Sequence, residues 1–376
     1  MVKAWTLLAA LFLLSQPVMA GGAPAGPGDA VEVAVVAVAE EEPATADCSC
    51  DSACACCVCE PQCGAGAGCP AAEPWFYGPL AVPNQHPTFA PFLSPVPDTA
   101  GVLDDGEARL SFRLDLTNNI IRELDNGIIV DLDFETLRGT FDYRQGAGGG
   151  EFSLRVPLVS RTHGFLDGVI SDWHRLFGLP NGLRDNFPDN QYRFTIVTRQ
   201  GPVYNESGDT FGVGDVLLGY KRPVWRRGGE ALSWRAGVKL PTGDASKSLG
   251  SGGTDFQLGG LYQQQFGEHL RGYVNLDYIF TGEPEWDNIG HQDVLATLWA
   301  LEYGASPDTT VVMQYQTQRN PLRIGSREAD KDGQELGIGF HHRIGGGLVW
   351  SGGFVEDLYP ETGPDFVVFS HFGWEI

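Results

Sequence analysis

Apolar and polar side chains alternate along two long stretches in the middle of the chain. Between Leu232 and Leu240, the even-numbered positions are apolar or small, and the odd-numbered positions are polar or glycine. The stretch from Leu270 to Tyr278 repeats this pattern, with Arg271 and Asp277 among its polar positions. Because successive side chains of a strand point to opposite faces, each stretch predicts a strand with one apolar and one polar face.

The same pattern predicts twelve strands in the C-terminal three quarters of the chain. They lie near residues 107–119, 128–145, 150–162, 213–226, 230–241, 253–267, 269–282, 291–305, 309–321, 334–344, 347–358 and 364–376. Runs of about ten residues, joined alternately by short turns and long polar loops, are typical of a transmembrane barrel rather than a soluble sandwich. An even number of strands puts the first and the last residue of the barrel on the same side of the membrane, the periplasmic side. We therefore predict an all-β, antiparallel up-and-down transmembrane β-barrel of about 12 strands over residues 106–376, in the cell outer membrane.

The polar faces of these strands are expected to line the lumen. In strand 128–145 the alternation shifts phase at Glu135-Thr136, which predicts a bulge and also assigns Asp131, Asp133 and Glu135 to the lumen. The lumen of a twelve-stranded barrel is narrow, so mixed charges in it form either a salt-bridged filling or a polar path for solutes. The lumen-facing candidates are Arg109, Arg113, Arg138, Arg155, Lys221, Arg235, Lys239, Arg271 and Asp277.

The N-terminal fifth of the chain has a different composition. Residues 1–20 read as a secretory signal peptide, with Lys3, an apolar run and a small-residue cleavage site. Residues 21–73 are a low-complexity segment predicted to be disordered and periplasmic. All eight cysteines fall in it, at Cys48, Cys50, Cys54, Cys56, Cys57, Cys59, Cys63 and Cys69. We predict local disulfides, because exported thiols meet an oxidising compartment; a metallothionein-like thiolate cluster is the alternative.

Residues 74–105 are rich in proline and aromatic side chains, beginning with Pro74-Trp75-Phe76-Tyr77. Proline at this density excludes a regular helix and a central strand. The aromatic side chains indicate that the segment packs on something. It is either a plug inserted into the barrel or a linker lying on the periplasmic rim.

The long connection from residue 162 to 212 contains apolar residues at helical spacing, followed by Gly178 and Pro180. This predicts a short helix in a long extracellular loop. It is either a lid that gates the pore or a structural cap. The lid candidates are Phe165, Ile170, Trp173, His174 and Phe177.

Net charge and motifs exclude several classes of function. The formal net charge is −23, and no basic stripe is present to neutralise phosphates, so a nucleic-acid partner is not expected. No motif brings a nucleophile, a base and an orienting group together, so we predict no enzyme, no cofactor and no metal site. The expected partners are outer-membrane lipid, lipopolysaccharide and small solutes; the sequence specifies no oligomeric state.

Several motifs resemble one family of barrels. The stretches 211–221, 239–244 and 250–255 are similar to uncharacterised Gram-negative outer-membrane barrels related to the phenol meta-pathway porin-like proteins. Residues 84–87 and 165–182 resemble a narrower subgroup with a domain of unknown function. The resemblance covers residues 84–376, implies location and architecture, and carries no catalytic residues. The Cys-rich segment is expected to lie outside it.

Two functions are consistent with these features. The first is a passive or gated channel for small solutes. The second is a non-conducting structural or interaction barrel, with the Cys-rich tail as its periplasmic contact.

Replacing all eight cysteines with serine is expected to leave detergent-resistant folding nearly unchanged, because short disulfide loops outside a core add little to barrel stability. Thiol counting under denaturing conditions, with metal analysis of protein purified without reductant, checks the redox state. Eight free thiols with bound zinc or copper would show that the segment is a metal-binding module instead.

Overall fold

The structure is a computed structural model that describes residues 75–178, 188–206, 208–287, 289–359 and 363–376. These residues all belong to one compact unit, Cys69–Ile376. The predicted signal peptide, disordered segment and cysteine cluster lie outside the described residues.

The described chain contains seventeen strands, one α-helix and a short 3-10 turn at Ala245–Lys247. The helix, α1, is Asp167–Phe177. The strands are β1 Ala108–Asp125, β2 Ile128–Ala147, β3 Gly150–Thr162, β4 Arg193–Thr198, β5 Gly201–Glu206, β6 Thr210–Val213, β7 Val216–Arg227, β8 Glu230–Leu240, β9 Asp255–Phe266, β10 Leu270–Phe280, β11 Gly290–His291, β12 Val294–Ser306, β13 Thr309–Gln318, β14 Leu322–Arg323, β15 Gly333–Gly345, β16 Leu348–Asp357 and β17 Phe366–Glu375.

Twelve of these strands form a closed antiparallel barrel in the order β1-β2-β3-β7-β8-β9-β10-β12-β13-β15-β16-β17. The barrel closes where β17 pairs with β1, from Arg109 opposite Glu375 to Asn118 opposite Phe366. The twelve predicted strands are confirmed; their bounds lie within three residues of those predicted, except that β1 ends at Asp125 instead of residue 119. The remaining strands are short additions at one end of the barrel.

The two ends of the barrel differ in their connections. At the short-turn end, two-residue turns such as Gly148-Gly149 and Gly228-Gly229 have positive φ at both residues, from 57° to 86°. This is the geometry that matches the right-handed twist of the flanking strands, and glycine adopts it without strain. The longer connections, including the one that carries α1, lie at the opposite, long-loop end. The short helix predicted in the long loop is confirmed, and it ends at Gly178 in the left-handed conformation, with φ 69°.

Strand β2 is regular where a bulge was predicted. Glu135 and Thr136 pair in unbroken register with β1 on one side and β3 on the other. The bulge prediction is therefore wrong, and Asp131, Asp133 and Glu135 lie on the outer face with Leu137, not in the lumen. Asp131 forms an ion pair at 2.8 Å with Arg122, the residue opposite it on β1.

The phase of the alternation in the sequence shifts because the inward side chains of β2 are polar near the short-turn end and apolar near the long-loop end. Near the long-loop end, β1 and β2 extend beyond β3, and the β4–β5 hairpin pairs with β2 there. Inward residues of this extension, such as Val130 and Leu132, are fully buried. They pack with Phe194 of the hairpin, Phe92 and Leu322 in one apolar cluster. An apolar inner face is therefore consistent with a continuous strand.

The outer face of the barrel is an exposed apolar surface. Leu114, Leu154, Leu276 and Met313 are each more than a third exposed, and similar side chains occur on every barrel strand. A soluble protein rarely exposes a continuous apolar surface of this extent, whereas a barrel in lipid requires one. Among the described residues, no helix is long and apolar enough to cross a membrane.

An arginine at the outer mid-barrel position Leu114 is expected to lower the free energy of unfolding by roughly 2–4 kcal/mol, because it places a charge in the hydrocarbon layer. The matched control is Leu124→Arg, at the exposed tip of β1, which is expected to have little effect. Urea unfolding in lipid vesicles, followed by tryptophan fluorescence, measures both. Equal effects at the two positions would contradict the assignment of the lipid face.

Candidate functional site in the barrel interior

Most of residues 75–105, called here the inner segment, lies inside the barrel, and its last residues, Asp104 and Asp105, are exposed at the short-turn end. The segment bonds to side chains of ten of the twelve barrel strands, which surround it on all sides. These side chains are Arg113 on β1, Arg144 on β2, Glu151 on β3, Lys221 on β7, Arg235 on β8, Asp255 on β9, Asn275 on β10, Glu302 on β12, Gln314 on β13 and His341 on β15. A segment bonded to the wall from all these directions occupies the lumen.

Asp98 is the only Asp, Glu, Lys or Arg between residues 75 and 103, and it is the ionic anchor of the inner segment. Its carboxylate accepts from Nη1 of Arg144 at 3.0 Å and from Nζ of Lys221 at 3.0 Å. Glu151 contacts the same two cations, each at 3.3 Å. Burial raises the pKa of Asp98, but Arg144, Lys221 and Arg235 outweigh it and hold the pKa far below its ordinary value. The neighbouring cations therefore favour the ionised form of Asp98.

A second ionic contact holds the middle of the inner segment. The guanidinium of Arg235 donates to both oxygens of Asp277, at 2.7 and 2.6 Å, and its Nη1 donates to the carbonyl of Val96 at 2.7 Å. Both charged side chains are buried. A bidentate pair of this geometry is strong and directional, so it fixes the position of the Val96 carbonyl.

A third contact lies towards the long-loop end. The ammonium of Lys239 donates to Asp215 at 2.7 Å, to Ser251 at 2.7 Å and to the carbonyl of Pro91 at 2.9 Å. Asp255 lies 3.3 Å from the same ammonium and accepts from the backbone N–H of Leu93 at 2.7 Å. Lys239 and Asp255 thus bond to the inner segment on both sides of Phe92.

The N-terminal part of the inner segment is held by Glu302. This carboxylate is fully buried and accepts from the backbone N–H groups of Tyr77 and Gly78, at 2.9 and 3.0 Å. The hydroxyls of Tyr273 and Thr310 also donate to this carboxylate, at 2.5 and 2.6 Å. Four hydrogen bonds to one buried carboxylate offset the cost of removing it from water.

The structure places all nine lumen-facing candidates on the inner surface of the wall. Five of them are buried: Arg113, Lys221, Arg235, Lys239 and Asp277. The bonds of the last four are described above, and Arg113 bonds to Asp115 and to the carbonyl of Ala81. Arg155 bonds Asp142. Arg109 and Arg271 lie over the rings of Tyr77 and Phe76 at 5.1 and 4.5 Å. Arg138 is half-buried and has no hydrogen bond or ion pair within the described residues.

The lid candidates lie on or beside α1. Phe165 is 65% exposed, whereas Ile170 is buried and His174 half-buried. The side chains of Trp173 and Phe177 lie outside the described part of the structure. The start of α1 is fixed to the outer face of the wall, where Glu135 accepts from the Phe165 and Leu166 N–H groups. The lid function stays a prediction.

Several side chains that bond in the barrel interior were not among the candidates predicted from the sequence. For two of them, the sequence contains a pattern that could have identified them. Asp98 is the lone carboxylate in a proline-rich aromatic stretch, which predicts a specific cationic partner. Glu302 is the lone charge on the inward face of β12, between Ala300 and Gly304. His341 and Gln314 have no such signal, because polar residues are common on inward faces.

With this geometry described, comparison with known proteins assigns the family. Residues 56–374 match the family described as protein of unknown function (DUF3187). The chain belongs to this family. The resemblance expected from the motifs is confirmed, but the match begins at Cys56, so the expectation that the Cys-rich segment lies outside it is wrong for Cys56 to Cys69.

A solved outer-membrane channel shares the fold. The COG4313 outer-membrane channel from Pseudomonas putida F1 is similar with a TM-score of 0.51 and 13% identity, over 74% of this chain and 99% of that one. The Ralstonia pickettii toluene transporter TbuX aligns with a TM-score of 0.36 and 10% identity, over 81% of this chain and 96% of that one. At 13% identity the likeness to the COG4313 channel shows the fold alone, and nothing is inferred from the alignment with TbuX. No curated protein matches the chain.

Removing one partner of the Arg235–Asp277 pair is expected to lower the free energy of unfolding by about 3–5 kcal/mol, because a buried charge is left uncompensated. The double variant Arg235→Met/Asp277→Leu is expected to cost clearly less than the sum of the single variants. Urea unfolding of all three variants measures this coupling. Arg222→Met, at an exposed position, is the control; strictly additive effects would contradict the pairing.

Proposed function

We propose that this protein is an outer-membrane channel for small solutes and that the inner segment gates it. The observation that carries the proposal is that the barrel wall is complete without this segment. Each wall strand pairs with its two neighbours along the ring, and the inner segment contributes no strand to it. The segment can therefore leave the lumen without breaking any backbone ladder of the barrel.

The bonds to the inner segment are of a kind that can be exchanged for water. Most of them join side chains of the wall to backbone groups or to Asp98. A neutral bond of this kind is worth only about 0.5–1.5 kcal/mol net, and a bond to a charged group about 1.5–3 kcal/mol. When the segment moves out, Arg144 keeps Asp142 and Glu151 as partners, and Lys221 keeps Glu151. The exposed wall would then be a polar, charged surface suited to water and dissolved solutes.

The inner segment also supports the second candidate, a non-conducting barrel. Its contacts with ten wall strands, together with the apolar cluster around Phe92, fill much of the interior. If this filling is permanent, the barrel is a scaffold, and the periplasmic N-terminal tail is its contact to other components. In that case lipid and lipopolysaccharide are its partners, and no solute passes.

Conductance of the purified barrel in planar lipid bilayers tests both candidates. Asp98→Asn removes the ionic anchor while keeping the shape of the side chain, so we expect discrete open events several times more frequent or longer than in the wild type. Asp308→Asn, in an exposed turn at the short-turn end, is expected to behave like the wild type.

Folding of each sample is checked by heat-modifiable mobility in detergent gels. If the folded wild type and Asp98→Asn are both silent, the scaffold is supported and the channel is rejected. If both conduct equally, the barrel is a channel but the inner segment is not its gate.

A further inference from the structure

The helix α1 starts on the outside of the barrel wall, near the long-loop end. Glu135 of β2 accepts from the backbone N–H of Phe165 at 2.8 Å. Asn118 of β1 donates to Asp167, the first residue of the helix, at 3.0 Å. Asn118 and Glu135 are opposite each other on the two strands and both face outward. Because outward side chains of the wall hold its first turn, α1 begins outside the lumen.

The start of α1 covers the place where the outer face of the wall changes from apolar to polar. Leu116 and Leu137 form one outward pair across β1 and β2, and the next outward pair is Asn118 and Glu135. Each residue of this polar pair is only 3% exposed. Polar groups next to acyl chains are costly unless they are bonded and shielded. By bonding to both side chains, the start of α1 separates them from the surroundings of the barrel.

One apolar side of α1 is exposed. Phe165, Val169 and Leu176 are 65%, 57% and 74% exposed. Steps of four and seven residues place them along one side of a helix. Leu166 and Ile170, on the adjoining side, are buried. The apolar surface of α1 is therefore wider than the part that packs on the protein, and contacts with the described residues do not account for the rest.

Another side of the helix is polar. Asp172 and Arg175 form an ion pair at 2.6 Å, and both side chains are exposed. A helix that combines an open apolar side with a charged side is typical of the boundary between water and a membrane. The position of α1 beside a lipid-facing wall agrees with such a boundary.

We propose that α1 is an interfacial helix whose exposed apolar side, formed by Phe165, Val169 and Leu176, inserts into the acyl chains of the outer leaflet. The established lipid-facing surface of the wall includes Leu114 and Leu137, and α1 continues this surface past its polar edge. Interfacial helices bury their apolar side about 5–10 Å into the boundary between headgroups and acyl chains. The long-loop end corresponds to the external side of bacterial barrels, which places the helix in the outer leaflet.

Photo-crosslinking of the full-length protein in vesicles of palmitoyl-oleoyl phosphatidylcholine tests this contact. A benzophenone amino acid replaces Val169 or Leu176, and intact-protein mass spectrometry measures the yield of lipid adducts after illumination. Both positions are expected to give lipid adducts, because their side chains face the acyl chains. Arg175 is the matched control position, since it is exposed on the polar side of the same helix, and its yield is expected to be several-fold lower.

Each sample is first shown to be folded by its heat-modifiable mobility in detergent gels, and Phe165 offers a third position on the apolar side if one sample does not fold. Equal adduct yields at the apolar positions and at Arg175 would overturn the proposal, as would the absence of lipid adducts. Crosslinks from Val169 and Leu176 to other loops of this chain, in place of lipid, would also overturn it and would support a lid over the barrel mouth.

The contact with lipid is independent of the proposed channel function, because the measurement does not involve conductance. A barrel that is silent in bilayers but forms lipid adducts at Val169 and Leu176 retains the interfacial helix and loses the channel. A barrel that conducts but forms no such adducts remains a channel without this membrane contact.

Discussion

The interior of this barrel is governed by the need to satisfy the backbone of an irregular segment enclosed by strands. A chain that is neither helix nor strand presents backbone N–H and C=O groups that must bond elsewhere when water is excluded. Proline reduces the number of donors, and residues 75–105 contain six prolines. The remaining backbone N–H and C=O groups form hydrogen bonds with wall side chains such as Glu302, Gln314 and Arg235. The polar inner face of the wall is thus the bonding partner of the inner segment.

The wall and the inner segment are therefore held by different bonds: backbone hydrogen bonds between strands in the wall, and side-chain contacts for the inner segment. The ladder of the wall is continuous around the ring, and the apolar outer face stabilises it in lipid. The inner segment depends on side-chain contacts, of which those around Asp98 are the most concentrated. Asp98 bridges Arg144 and Lys221, which each keep another carboxylate. Loss of the segment would therefore leave Arg144 and Lys221 paired with Glu151.

The sequence predicts the wall far better than the contents of the lumen. Strict alternation and glycine turns specify strands such as β8 and β10, because lipid and the polar interior impose opposite demands on the two faces. The alternation fails in β2, where Val130 and Leu132 face inward into an apolar cluster that includes residues from β4, β5 and the loop after β13. The clustering depends on contacts distant along the chain, as does the pairing of Asp98. Neither can be derived from local periodicity.

Charges inside the barrel are tolerated because most of them are joined in close pairs. Arg235 with Asp277 and Lys239 with Asp215 are examples. Each partner offsets the cost of removing the other from water, whereas a buried charge that loses its partner is left uncompensated. Glu302 is stabilised in another way, because four neutral donors bond this one buried carboxylate. Bonds within the protein therefore account for most of the charge in the lumen, without a bound solute.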